Sequence, residues 1–137
     1  MPGEFDLRGK RVFVAGHRGM VGSALVRRLA REECTILTVS RSELDLRRQA
    51  ETEAWVSANR PNLVFLAAAK VGGILANRDR PAEFIYDNLM IEANVMQAAA
   101  RSGAAKLVFL GSSCIYRSEE HTSELQSHLN LVCRLLL

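Results

Sequence analysis

The apolar and polar positions of this chain follow two alternating periods between residues 11 and 111. Short, nearly continuous apolar runs are typical of buried strands, and they fall at residues 11–15, 35–39, 63–68 and 106–110. Between these runs, apolar residues recur at helical spacing, which predicts helices at residues 21–31, 47–58 and 81–100. Strands that are apolar on both faces and alternate with helices predict a parallel sheet that is covered on both sides.

This order of elements predicts an α/β domain with a doubly wound, Rossmann-type parallel sheet of about four strands. Right-handed crossovers would place helices on both faces of the sheet. Such sheets bind their ligands at the carboxyl ends of the strands. We therefore expect the chemistry of this chain in the loops that follow its strands.

The loop after the first strand carries three glycines at three-residue spacing. Glycine adopts positive φ and has no Cβ, so the backbone can turn sharply and approach a phosphate closely. The helix that follows would direct its free N–H groups and the positive end of its dipole at that phosphate. The glycine pattern alone also fits a surface turn, but the flanking strand and helix favour dinucleotide binding. The predicted cofactor loop comprises Gly16, His17, Arg18, Gly19, Met20, Val21 and Gly22.

The end of the second strand indicates which nicotinamide cofactor would bind. An acid about 20 positions after the glycines holds the ribose 2′-hydroxyl in NAD binders, whereas an arginine accommodates the 2′-phosphate of NADP. Here Arg41 stands at the strand tip, within the stretch Val39-Ser40-Arg41-Ser42-Glu43. Arg18 can reach the same region, and planar guanidinium groups bind phosphate oxygens bidentately. We predict NADP; two solvated arginines are the alternative interpretation.

Two further strand ends carry residues suited to a site. Ala67, Ala68 and Ala69, followed by Lys70, would let the backbone pass close to a cofactor, and a tight helix–sheet contact is the alternative. The fourth strand is followed by Gly111-Ser112-Ser113-Cys114-Ile115-Tyr116, which places hydroxyls and a thiol where catalytic groups are usually carried. In isolation, that stretch also fits a serine-rich turn.

Composition narrows the class of protein. The chain has 137 residues, of which 48% are hydrophobic, enough for one domain with a core. It contains neither an apolar run near the roughly 18 residues of a membrane span nor a sequence resembling a signal peptide. Cys34, Cys114 and Cys133 lack the spacing of a disulfide framework or a zinc site, so we predict a cytoplasmic protein without a metal. The net charge of +3 is mild and dispersed, which argues against nucleic-acid partners.

The pattern changes after Tyr116. Residues 117–128 have no apolar period, and residues 129–137 form a short leucine-rich stub. The stretch from Arg117 resembles the in-frame translation of a DNA sequencing adapter, although a surface helix or a frayed terminus also fits. We therefore divide the chain into an NADP-binding domain at residues 1–116 and a tail at residues 117–137 that we expect to be disordered or irregular.

Three stretches together resemble the GDP-L-fucose synthase family of extended short-chain dehydrogenases/reductases: V-F-V-A-G-H-R-G-M-V-G-S, A-A-A-K-V-G-G-I and L-G-S-S-C-I-Y. The resemblance implies an oxidoreductase and epimerase of GDP-L-fucose biosynthesis. Such an enzyme uses NADPH for the 3,5-epimerisation and 4-reduction of GDP-4-keto-6-deoxy-D-mannose. At the matching positions, the resemblance implies that Ser112 hydrogen-bonds the 4-keto oxygen and that Cys114 exchanges protons at the epimerised carbons. It also implies a GDP-sugar partner and, for the intact enzyme, a homodimer.

The resemblance does not extend to a complete catalytic set. Short-chain dehydrogenases/reductases protonate the reduced oxygen with the tyrosine of a Tyr-x-x-x-Lys pair. The two tyrosines of this chain, Tyr86 and Tyr116, have Met90 and Glu120 at the position of that lysine. We therefore expect a fragment that is inactive by itself. An NAD-dependent nucleotide-sugar epimerase or dehydratase and a non-catalytic NADP-binding module are the alternatives.

Overall fold

The computed structural model describes residues 5–111 and the backbone of Val132–Leu135. Its elements follow the chain in the order β1 (Arg11–Ala15), α1 (Met20–Leu29), β2 (Thr35–Leu37), α2 (Gln49–Asn59), β3 (Leu63–Leu66), α3 (Ile74–Asp79), α4 (Pro81–Arg101), β4 (Lys106–Leu110) and β5 (Val132–Leu135). The alternation of strands and helices predicted from the apolar pattern is confirmed.

The strands form one sheet in the order β2-β1-β3-β4-β5. β1 to β4 are parallel, as predicted, and β1 lies between β2 and β3. The chain therefore moves outward from β1 to β2 and returns to the other side of β1 with β3. Loops that leave neighbouring strands in opposite directions open a crevice at such a switch point.

Helices cover both faces of the sheet. Phe13 of β1 belongs to a buried cluster with Val56 of α2 and Val95 of α4. Its neighbour Val12 belongs to a second cluster, which contains Leu29 of α1. Both β1 residues are fully buried. Burial on two faces explains why these strands are apolar throughout rather than at every second position.

β3 ends two residues earlier than its apolar run predicts. In the register of the sheet, Leu66 lies opposite Ala15, the last residue of β1. The N–H of Ala67 still donates to the carbonyl oxygen of Ala15 at 3.0 Å, and beyond this bond β1 offers β3 no further partner. Residues 67–70 therefore leave the sheet as a loop. β2, an edge strand paired with β1, likewise stops at Leu37.

Two elements were not predicted from the sequence. α3 follows Gly73 and buries none of its residues, so it carries no apolar period that would reveal it. β5 runs antiparallel to β4, which gives the sheet a fifth strand where about four were expected. Its four residues lie within the segment that was expected to be disordered or irregular. Pairing with β5 occupies N–H and C=O groups that β4 would otherwise present at an open edge.

α4 is 21 residues long and packs against α2. Pro81 occupies its first turn, where proline's missing N–H costs nothing. Among the residues that the structure describes, no helix combines the length and the hydropathy needed to cross a membrane. α4 instead buries two polar side chains, Asp87 and Asn94, and both contact the loops at the carboxyl end of the sheet.

Candidate functional site

The loop between β1 and α1 crosses the tip of β3 in direct contact. Gly16 has a φ of +83°, in the left-handed region that favours glycine. A Cβ on Gly16 would lie 2.7 Å from the carbonyl carbon of Ala67 and 2.7 Å from the Cα of Ala68. These are backbone atoms and cannot rotate away. Position 16 therefore requires glycine both for its conformation and for the approach of the two loops.

The third glycine lets α1 begin tightly against the turn. A Cβ on Gly22 would collide with the carbonyl oxygen of Gly16. Gly19 is the N-cap of α1, and its N–H donates to the same oxygen at 3.0 Å. The first helical turn, which starts with Met20 and Val21, has neither a capping side chain nor an acid. Its N–H groups are thus available to an anion such as a phosphate.

The turn after β2 is held by an acid that folds back on it. The Ser40 N–H donates to Glu43 Oε2 at 2.9 Å, and the Ser40 hydroxyl donates to the same oxygen. These bonds, led by the one from the hydroxyl, lower the pKa of the Glu43 carboxyl, and the charges of Arg18 and His17 lower it further. The acid nearest the strand tip is therefore ionised and engaged by its own turn. Arg41 lies on the wall of the cleft beside it.

The loop after β3 is fastened to α4. Asn88 accepts a hydrogen bond from the Lys70 N–H at 2.7 Å, and its Nδ2 donates to the Lys70 carbonyl oxygen at 3.0 Å. The Lys70 ammonium pairs with Asp87 at 2.8 Å and also with Glu83. Both pairs, the one with Asp87 more strongly, raise the pKa of Lys70. Lys70 thus lines the cleft with its charge balanced by two carboxylates.

Sequence reasoning missed the segment between the β2 turn and α2. Arg47 Nη2 lies 2.6 Å from Asp45 Oδ2, and the hydrogen bonds from Arg47 lower the pKa of the Asp45 carboxyl to about 2. Arg47 Nη1 also donates to Asp87 of α4 at 3.2 Å. Between them, the Leu46 carbonyl oxygen accepts a hydrogen bond from Asn94 Nδ2 at 2.9 Å. An acid, a leucine and a base in a connecting segment are common on protein surfaces, so the sequence held little signal of this site.

These loops enclose a cleft of about 270 Å³ at the carboxyl ends of β1, β2 and β3. It is lined by residues 15–19, 39–41, 44–47 and 67–70, with Asp87 and Ile91. The cleft lies at the switch point between β1 and β3, where a doubly wound sheet binds its ligand. Arg18 and Arg41 add positive charge to a wall that already presents a helix N-terminus. The arrangement suits an elongated ligand that carries several phosphates.

The structure brings most of the predicted cofactor residues to this cleft. The residues that line it include Gly16, His17, Arg18, Gly19, Arg41, Ala67, Ala68, Ala69 and Lys70. Met20, Val21 and Gly22 lie instead in the first turn of α1, and Met20 is 87% exposed. Those three can contribute backbone N–H groups. Ser112 and Cys114 lie outside the described residues, so their catalytic roles stay predictions.

The profile of the NAD dependent epimerase/dehydratase family matches residues 12–131. The match includes every loop of the cleft, and the chain belongs to this family. GDP-L-fucose synthase of Sinorhizobium fredii is 58% identical over 110 residues, which are 80% of this chain and 35% of that protein. The chain thus spans about a third of the length of the curated relatives it matches. The resemblance inferred from the three sequence stretches is confirmed.

Two solved structures from Campylobacter jejuni share the fold. A GDP-D-glycero-L-gluco-heptose synthase, determined in the presence of NADPH, is 34% identical with a TM-score of 0.79, over 89% of this chain and 36% of that one. The GDP-mannoheptose C4 reductase MlghC, with NADP bound, is also 34% identical with a TM-score of 0.79, over 89% of this chain and 39% of that one. Together with the family match, these structures support a nicotinamide cofactor.

The glycine geometry predicts a specific cost for Gly22→Ala. The added methyl group would collide with the Gly16 carbonyl, so we expect a loss of about 1–3 kcal/mol in unfolding free energy, although alanine favours helices. Gly73→Ala is the matched control, because a Cβ there meets nothing within 4 Å and the φ of −67° suits alanine. Urea unfolding measures both variants beside the parent. Equal stability of the two variants would contradict the close approach of α1 to the loop.

The Asp45–Arg47 pair predicts a contribution to stability that depends on pH. The folded-state pKa of Asp45, about 2, lies below the ordinary value of 3.8. The ionised carboxyl therefore stabilises the fold above about pH 4, and this effect is lost as the pH falls toward 2. Asp45→Asn should cost about 1–2 kcal/mol at neutral pH and progressively less in acid. Urea unfolding at several pH values measures the difference, and a penalty that is constant with pH would refute this assignment.

Proposed function

We propose that this chain forms the NADP-binding part of an enzyme that makes GDP-L-fucose. The reaction is the NADPH-dependent 3,5-epimerisation and 4-reduction of GDP-4-keto-6-deoxy-D-mannose. The observation that carries the proposal is the cleft at the switch point, with the Gly16 loop on one side and Arg41 on another. The 58% identity to a GDP-L-fucose synthase over 80% of the chain supports this substrate class.

The choice of NADP over NAD follows from the charges around the turn after β2. Arg18 and Arg41 both line the cleft, and guanidinium groups bind a 2′-phosphate with charge-assisted hydrogen bonds. Glu43, the acid closest to the strand tip, is hydrogen-bonded to Ser40. The pyrophosphate would be held by Gly16, Gly19 and the N–H groups of the first turn of α1. When bound, the cofactor would supply hydride for the reduction.

Ser112 and Cys114 are the proposed catalytic groups of this chain. They follow β4 directly in the sequence, and β4 lies beside β3, whose tip forms one wall of the cleft. The serine hydroxyl would hydrogen-bond the 4-keto oxygen of the sugar. The thiol would exchange protons at the two epimerised carbons, a role for which neighbouring groups can bring a cysteine pKa toward neutrality.

The chain as it stands is proposed not to complete the reaction. Its sequence contains no Tyr-x-x-x-Lys pair, so it lacks the acid that would protonate the reduced oxygen. Such proton transfer contributes typically about 10²–10⁴-fold to a rate. The same lack favours the second candidate, a non-catalytic NADP-binding module. The two candidate functions differ in one respect: Ser112 and Cys114 should contact a GDP-sugar only if the chain is part of an enzyme.

The intact enzyme is proposed to be a cytoplasmic homodimer. α3 and the first half of α4 expose large apolar side chains: Val71 just before them, then Ile74, Leu75, Ile85, Tyr86 and Leu89. α3 contacts α4, and large apolar side chains that are exposed together on neighbouring helices are a common feature of interfaces. The symmetric packing of this face against a second copy would bury it.

Cofactor selectivity tests the proposal directly. The parent chain should bind NADPH more tightly than NADH, and Arg41→Asp should remove most of that preference. A hydrogen bond to a charged group contributes about 1.5–3 kcal/mol, which corresponds to a change of roughly ten- to a hundredfold in the dissociation constant. Fluorescence titration of each reduced cofactor measures the two affinities.

The matched control is Arg31→Asp, which makes the same charge change at an exposed position in the turn after α1. It should leave the preference for NADPH intact. Equal affinity of the parent chain for NADPH and NADH would show that the assignment of the 2′-phosphate site is wrong.

A further inference from the structure

The helix α4 forms hydrogen bonds to two loops of the cleft, the one after β3 and the one after β2. In the loop after β3, the Lys70 N–H donates to Asn88 Oδ1 at 2.7 Å, and Asn88 Nδ2 donates to the Lys70 carbonyl oxygen at 3.0 Å. In the loop after β2, the Leu46 carbonyl oxygen accepts a hydrogen bond from Asn94 Nδ2 at 2.9 Å. The loops after β2 and β3 are therefore each fastened to the same helix, although they leave the sheet on opposite sides of β1.

Asp87 bonds both loops with one side chain. Its Oδ1 accepts a hydrogen bond from Arg47 Nη1 at 3.2 Å, and its Oδ2 accepts one from Lys70 Nζ at 2.8 Å. Its side chain is only 6% exposed. Within residues 5–111, Asp87 is the residue whose ion pairs join the 44–47 wall to the 67–70 wall of the cleft.

A buried carboxylate at this position stabilises the protein only while its cations stay against it. Moving a charge out of water is costly, so a buried carboxylate without a cationic partner would destabilise the fold. The Lys70 ammonium, followed by the Arg47 guanidinium, keeps the pKa of Asp87 below its usual range in spite of burial. Asp45 and Glu83 extend the pairs at either end, so five charges of alternating sign form one chain, and four of them, all except Glu83, line the cleft.

We propose that Asp87 is a positioning residue for the dinucleotide cleft: its carboxylate fixes the separation of the 44–47 and 67–70 walls before the cofactor arrives. The inference rests on the proposed function, which places a nicotinamide dinucleotide between those walls. Preformed walls lower the ordering cost that binding would otherwise have to meet. Loss of the carboxylate removes one tie from each loop at once, because each of its oxygens bonds a different loop, and leaves in place the hydrogen bonds of Asn88 and Asn94.

The test is Asp87→Asn, which keeps the size of the side chain and removes its charge. Hydrogen exchange of the cofactor-free chain should accelerate at residues 44–47 and 67–70 and stay unchanged in α1. The dissociation constant for NADPH should rise about tenfold, since two charge-assisted bonds that order the cleft are weakened. Asp79→Asn is the matched control, an exposed acid of α3 paired only with neighbouring Arg78 among the described contacts, and it should change neither readout.

Variants that break only one of the two ion pairs of Asp87 keep the test decisive if Asp87→Asn does not fold. Lys70→Met should accelerate exchange at 67–70 alone, and Arg47→Gln at 44–47 alone. Unchanged exchange in these loops, or acceleration spread evenly over the sheet, would overturn the positioning role. So would an NADPH affinity of Asp87→Asn within about twofold of a parent that binds NADPH. If the parent binds no NADPH but the loops still loosen, the proposed function fails and the positioning role stands.

Discussion

The close approach of backbone segments at the tips of β1 and β3 is the constraint on which the rest of the site depends. Gly16 lies against backbone atoms of Ala67 and Ala68, and Gly22 lies against the carbonyl group of Gly16. Rotating a side chain cannot relieve any of these contacts, so the loop, the start of α1 and the tip of β3 have one relative placement. That placement sets the N-terminus of α1 at the cleft of the switch point, with its N-cap Gly19 in the lining.

The other two walls of the cleft depend on polar contacts rather than on backbone contact. Asn88 holds residue 70 and Asn94 holds residue 46, each by neutral hydrogen bonds that are indifferent to pH. Asp87 adds the charged link between the walls. Buried pairs of this kind stabilise the fold modestly but allow few alternative arrangements, because an unpaired partner is costly. The fold therefore combines a rigid glycine turn with walls that are held by neutral hydrogen bonds and by ionised groups.

Much of the fold was predictable because burial on both faces leaves a strong apolar signal in the central strands. Phe13 and Val12 face opposite sides of the sheet and both are apolar, which identifies a strand of a parallel sheet. The glycine loop was predictable for a similar reason, since the residue type at Gly16 and Gly22 is dictated by the space available. Arg41 was predicted as a cofactor residue because an arginine at a strand tip accommodates a 2′-phosphate, and the structure places it in the lining of the cleft.

The remainder of the site depends on pairings between distant positions, which a single sequence does not reveal. In the sequence, Asn88 is one polar residue of a helix, a turn away from Phe84, and its partner Lys70 is 18 positions away. Arg47 and Asp87 are 40 positions apart, and each alone resembles a solvated charge. α3 buries none of its residues and so carries no periodicity. β5 lies in the leucine-rich stretch at residues 129–137, which was assigned to an irregular tail, so its pairing with the edge of β4 was not predicted.

An NMR titration of the ¹⁵N-labelled chain with NADP⁺ tests most directly whether the cleft is a nicotinamide dinucleotide site. We expect saturable amide shifts to concentrate at Gly16, Gly19 and Met20, where the pyrophosphate would bind, and at Arg41, which would lie beside the 2′-phosphate. Omitting that phosphate by titrating with NAD⁺ should reduce the shift at Arg41 and preserve those of the glycine loop. Shifts confined to the apolar face of α3 and α4, or an absence of saturable shifts at the glycine loop, would contradict the assignment of the cleft as a nicotinamide dinucleotide site.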